Sequence, residues 1–259
     1  MSKPYNTTDL SPQQSLERHI FHRDIFAHYL RWSHILKEAK IGESIVDFGA
    51  GQCQLLEVLY RNRYKPSKYV ALEYRQSEMD KAEEKYKNLP FEAVFLQQDI
   101  INPNIKLERL NADRVVSFEV AEHVGLQNVP KFLENFKKCG KKTARYYLST
   151  PNYDPSVGAA GNHTYDSGDG RGVAVQEIDH FALQEMILEA GFKIVNKFGT
   201  FASQKDYKES IEHDWRANAF HELGKYYDSN LLSNLMAPII APELPRNTLW
   251  VLEQACPKK

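Results

Sequence analysis

Two short strings carry most of the chemistry visible in this 259-residue sequence. In IVDFGAGQCQLL, the acid Asp47 runs into a turn containing Gly49 and Gly51. Glycine belongs where a side chain would keep a ligand from the backbone, or where φ is positive. In VVSFEVAEHVG, Glu119, Glu122 and His123 fall on one turn. Two carboxylates and an imidazole so placed offer oxygen and nitrogen ligands to a divalent cation such as Mg2+ or Mn2+. The same residues, without metal, supply a helix-terminal charge and a general base. His163, in GNHTYD, is the candidate for a further ligand, with His180 second.

Two more acids stand where strands are expected to end: Glu73 in ALEY and Asp99 in FLQQDI. Glu73 follows the glycine turn at about the distance where an acid contacts ribose hydroxyls. Asp99 is placed to accept a hydrogen bond from an adenine amine. The dinucleotide pattern G-x-G-x-x-G is not met, because Gln54 takes the place of the third glycine.

These residues must be positioned by an alternation of strands and helices. Apolar runs at 44–48, 69–72, 93–96, 114–118, 144–148, 192–197 and 248–253 read as strands. Helical periodicity lies between them, at 77–86, 129–138 and 181–190. The expectation is an α/β fold, a mostly parallel seven-stranded sheet with helices on both faces. Residues 1–40 form an N-terminal helical cap and 41–259 the main domain, with an irregular loop at 151–179 and a helical insertion at about 203–240.

Composition is that of a soluble globular chain, with 42% hydrophobic and 26% charged residues. A net charge of -1 gives no global pull on nucleic acid, although local patches can still bind it. Lys137, Lys138, Lys141, Lys142 and Arg145 form one basic cluster. The widely spaced Cys53, Cys139 and Cys256 read as reduced bystanders. Neither a membrane span nor a signal peptide is visible, so a cytoplasmic protein is expected.

Over Ser44 to Phe198 the sequence resembles class I S-adenosylmethionine-dependent methyltransferases through VDFGAG, ALEY and QQDI. The resemblance implies a Rossmann-like fold and S-adenosylmethionine as cofactor. Asp47, Gly49 and Gly51 would hold its methionine end, Glu73 its ribose, and Asp99 with Ile100 its adenine, while Glu119 faces its ammonium. Glu119-x-x-Glu122-His123, with Thr150-Pro151-Asn152 and then His163, also resembles the small-RNA 3′-terminal 2′-O-methyltransferases and the ubiquinone-pathway O-methyltransferases. That likeness implies a metal held by Glu119, Glu122, His123 and His163, and catalytic work by His123, His163 and Glu122. The acceptor expected is a hydroxyl of a small molecule or nucleotide-like compound. Methylation of an RNA end, and a non-catalytic module that binds S-adenosylmethionine, are the alternatives.

Overall fold

A computed structural model of the protein describes residues 23–153, 162–166, 172–202, 214–242 and 245–255, with backbone alone at 23–24, 162–166 and 172–174. The chain opens with helix α1 (Arg23–Glu38). The α/β alternation follows as β1 (Ser44–Phe48), α2 (Gln54–Arg61), β2 (Lys68–Glu73), α3 (Gln76–Lys85), β3 (Glu92–Gln97), β4 (Ala112–Phe118), α4 (Val129–Lys138) and β5 (Gly140–Pro151). The remainder is β6 (Asn162–Asp166), β7 (Gly172–Gln176), α5 (His180–Glu189), β8 (Phe192–Phe201), α6 (Trp215–Leu223), α7 (Ser229–Leu235), α8 (Ala237–Ile240) and β9 (Asn247–Gln254).

Seven strands form one sheet in the order β3-β2-β1-β4-β5-β9-β8. The first five are parallel, while β9 runs antiparallel to both its neighbours. The expected seven-stranded, mostly parallel sheet is what the chain forms. Its central strands are near-continuous apolar runs because both faces are covered by helices. Alternation along β1 sends Val46 and Phe48 into a core completed by α4 and α5, with Phe132, Phe136, Ile187 and Trp250. Ile45 faces the opposite core, where Leu56, Leu59, Met79 and Tyr69 pack with Trp32 and Ile35 of α1.

Helix α1 buries Ala27, Arg31 and Ile35, residues spaced four apart on one stripe. An arginine on a buried stripe is unusual, and its partners lie on the far side of the sheet order. Residues 1–22 of the expected cap lie outside the described residues. Cys53 and Cys139 are buried and free, and Cys256 lies outside the described residues.

The 151–179 stretch differs from the irregular loop expected. Within it, β6 and β7 pair antiparallel, with His163 opposite Val175. The β-branched residues of GVAVQ and the glycine-rich tract before them are the turn-flanked pattern of a hairpin. Gln176 accepts a hydrogen bond from Leu126 N at 3.0 Å, which ties the hairpin to the segment after β4. The helical insertion lies between β8 and β9, as α6, α7 and α8; residues 203–213 of it lie outside the described residues. Among the described residues, no helix is long and apolar enough to cross a membrane.

His180, the second candidate for a further ligand, is a structural clamp at the start of α5. Its backbone N–H donates to Asn152 Oδ1 at 2.9 Å, its Nε2 lies 3.1 Å from Thr150 O, and its Nδ1 lies 3.1 Å from Thr248 Oγ1. A carbonyl can only accept, so Nε2 carries the proton and Nδ1 accepts from the threonine. Burial pushes the ring's pKa down to about 4. Between pH 6.5 and 4 the unfolded chain takes a proton on this ring and the folded chain does not. The stability this contributes is complete above the unfolded pKa and is lost as pH falls through that window. Urea unfolding at pH 7 and pH 4.5 should therefore show a smaller loss of stability in His180→Gln than in the wild type; equal losses would show that the ring titrates as it does in water.

Candidate functional site

The strand order reverses between β1 and β4, and in open α/β sheets ligands bind beyond the carboxyl ends of the strands at such a switch point. The glycine turn lies on one side of this crevice. Gly49 N and Ala50 N both donate to Leu72 O, at 2.8 and 2.9 Å, which folds the turn back over β2. Gly49 (φ +86°) and Gly51 (φ +52°) adopt the left-handed conformation that glycine tolerates best. A Cβ on Gly49 would come within 2.6 Å of Val120, on the other side of the crevice. One on Gly51 would meet nothing within 4 Å, so the backbone there faces open space.

Glu73 latches this turn to the end of β2. Its Oε2 accepts from Gly51 N at 3.0 Å, and its Oε1 accepts from Arg75 N and Nε at 3.1 and 3.2 Å. Asp47 lies lower, on a buried position of β1, where Tyr69 donates its hydroxyl proton to Oδ2 at 2.5 Å. Burial pushes the Asp47 carboxyl up to about 7; the Tyr69 hydrogen bond opposes this, and the charge of Glu73 adds to it. Asp99 follows β3 and accepts from Ile101 N at 2.9 Å. The Ile100 side chain turns into the core, while its carbonyl accepts from Asn135 Nδ2 at 2.9 Å. Of that pair only Asp99 presents a polar side chain at the rim.

On the β4 side, Glu119 is a non-glycine residue at φ +57°, a conformation that persists only where the surroundings hold it. They do so from three elements. Arg31 Nη1 of α1 and Ser149 Oγ of β5 donate to Oε1, each at 2.8 Å, and Asn247 Nδ2 of β9 donates to Oε2 at 2.8 Å. Asn247 Oδ1 in turn accepts from Arg31 Nη1 at 3.1 Å and from Thr200 Oγ1 of β8 at 3.0 Å. Arg31, Ser149, Thr200 and Asn247 were not among the residues singled out from the sequence. The legible signal was the charge of Arg31 on the apolar stripe of α1.

Glu122 turns inward. It is buried, it accepts from Thr150 Oγ1 at 2.9 Å, and burial followed by the charge of Glu119 raises its pKa well above the usual carboxylate range. His123 remains partly exposed, with Nε2 3.9 Å from Glu122 Oε1. His163 lies on β6, and its side chain is outside the described residues.

The expected Mg2+ or Mn2+ centre of Glu119, Glu122, His123 and His163 lies partly outside the described residues, since the His163 side chain is not among them. Among the described residues, no three His, Cys, Asp or Glu side chains form a set that could hold a metal ion. Of the other three expected ligands, Glu119 accepts from Arg31, Ser149 and Asn247, and Glu122 is buried against Thr150. The basic cluster also lies elsewhere, at the end of α4 and the start of β5, opposite the strand ends that form the crevice. There Lys138, Lys141 and Arg145 are paired with Glu134, Asp113 and Glu253. A separate cleft of about 900 Å³ between α1, α2 and α3 is lined by Trp32, Gln52, Gln54 and Glu57, and by none of the acids expected to hold the cofactor.

Solved structures of similar fold agree with this architecture. A Haloferax volcanii complex of the Trm112 methyltransferase activator with a methyltransferase partner matches with a TM-score of 0.61 at 14% identity, covering 96% of this chain and 94% of that one. An S-adenosylmethionine-dependent methyltransferase from Clostridium acetobutylicum matches with a TM-score of 0.59 at 11% identity, covering 93% and 96%. Another from Mesorhizobium loti matches with a TM-score of 0.57 at 14% identity, covering 90% and 100%. At such identities the likeness is one of fold. A search of curated proteins finds no match. The sequence model of the methyltransferase domain matches residues 18–197, into β8 and across every acid of the crevice, and the chain therefore belongs to the methyltransferase domain family.

Proposed function

We propose that this methyltransferase acts on a hydroxyl group of a small-molecule or nucleotide-like acceptor. The observation that carries this reading is the division of labour among the acids around the crevice. Glu73 and Asp99 flank the glycine turn on the cofactor side, Glu119 stands across from it, and His123 follows Glu119 at the rim.

These residues fit S-adenosylmethionine. Gly51 leaves its backbone open for close approach, Glu73 and Asp99 supply acceptors for ribose hydroxyls and an adenine amine, and Glu119 supplies a carboxylate for an ammonium. When bound, the cofactor supplies an electrophilic methyl group. The chain's own residues then have two tasks. They must hold the acceptor oxygen in line with that methyl, which is chiefly a matter of positioning. They must also remove the hydroxyl proton, and His123 is the partly exposed base on the segment after β4. Glu122, its pKa raised by burial well above the usual carboxylate range, joins this segment to β5 through Thr150. Asp47 supports the turn from beneath through Tyr69.

Calorimetric titration with S-adenosylmethionine, S-adenosylhomocysteine and NAD tests the placement: the first two should bind and NAD should not, and binding of NAD alone would overturn it. Glu73→Ala removes charge-assisted hydrogen bonds to the turn and should weaken S-adenosylhomocysteine binding by roughly tenfold or more. His123→Ala should lower kcat on a hydroxyl acceptor by about a hundredfold while S-adenosylhomocysteine affinity stays within a factor of about two; unchanged turnover would remove His123 as the base.

Asp47 gives a test of opposite sign to His180. With its pKa raised from 3.8 to about 7, the folded chain keeps a proton that the unfolded chain loses between those values. Stability from this group therefore declines as pH rises through the window. Asp47→Asn should lose that decline in urea unfolding between pH 4 and 7, and an unchanged slope would show that Asp47 is ionised throughout.

A further inference from the structure

Arg31 is fully buried on α1, and its guanidinium is only half used. Nη1 serves Glu119 and Asn247, but Nε and Nη2 are buried without a hydrogen-bond partner. The nearest aromatic neighbour is Phe118, whose ring centroid lies 5.8 Å from Arg31 Cζ and offers no acceptor lone pair. Leaving such donors buried and unmade costs about 1–3 kcal/mol for each group, so native structures seldom retain them without a use.

The position of this edge is as informative as its bareness. Arg31 meets Glu119 and Asn247 where β4 ends and β9 begins, at the acceptor side of the crevice. Glu119 keeps its side chain 24% exposed, while Arg31, Ser149, Thr200 and Asn247 are buried, so the cluster opens outward on the carboxylate's side. The Nε–Nη2 edge of a guanidinium is the fork that matches both oxygens of a carboxylate, or two of a phosphate.

Resting on the acceptor reading above, we infer that the free edge of Arg31 is a specificity-determining site that docks an oxyanion, a carboxylate or phosphate group, carried by the methyl acceptor. Nη1 stays with Glu119 and Asn247 while the fork takes the anion, so one side chain both positions Glu119 and selects the substrate. An acceptor without such a group leaves the fork unmatched, and the site discriminates against it by the cost of those unmade hydrogen bonds.

Benzoate, phenyl phosphate and benzamide, titrated by calorimetry into the full chain saturated with S-adenosylhomocysteine, test this. Benzoate or phenyl phosphate should bind at least about tenfold more tightly than the neutral isostere benzamide, and whichever is preferred names the oxyanion. Arg31→Lys keeps a positive charge toward Glu119 but has no fork, and in it the preference should fall to about one, the midpoint of urea unfolding serving as the check of folding. Equal affinities in the wild type, no binding by any probe, or a preference that survives in Arg31→Lys would overturn the inference. Failure of S-adenosylhomocysteine itself to bind would instead overturn the cofactor placement on which it rests.

Discussion

A charge pair between the buried Arg31 and the partly exposed Glu119 sets the terms for the β4 side of the crevice. Removing the guanidinium from water carries a desolvation cost of several kcal/mol, and a single partner seldom recovers it. Here the carboxylate is shared among Arg31, Ser149 and Asn247, so the charge is spread over donors from α1, β5 and β9. The same sharing holds Glu119 at positive φ, where an isolated glutamate would not stay. The pair is thus less a source of stability than a device that admits one arrangement of four elements and disfavours others.

The acids of the site differ by environment, and their differences assign their work. Glu73 is held by Gly51 and Arg75 at the lip of the crevice, Glu119 by an arginine, while Asp47 and Glu122 are pushed toward protonation chiefly by burial. Four carboxylates within one site would repel one another if all were ionised. Burial of the two inner ones disfavours their charged form and so lessens that conflict.

Sequence periodicity located the sheet well because its strands are buried on both faces and its helices are amphipathic. Strand bounds moved by only a few residues, as with β2 at 68–73 against 69–72. The glycine turn was legible for a similar reason: Gly49 and Gly51 occupy conformations that other residues adopt at a cost. The pairing of β6 with β7 was not legible, since two short strands beside a glycine-rich tract give a weak period. The Glu119 network was illegible because Asn247 is 216 positions from Arg31, and no local spacing connects them. Three neighbours on one turn, Glu119, Glu122 and His123, do not face one way. A turn fixes proximity, but partners elsewhere in the fold decide which way each side chain faces.

The place of β9 in the sheet has a consequence for how the protein is made. This strand is inserted between β5 and β8 and carries Asn247, so the pocket floor joins residues from opposite ends of the described chain. On the ribosome, α1 emerges early with a guanidinium that has no buried partner until β9 follows. Such long-range closure slows folding and leaves partly built sheets with open edges. A nascent chain stalled before β9 would expose the flanks of β5 and β8 to wrong pairing, which makes the last strand the point at which chaperone dependence should be decided.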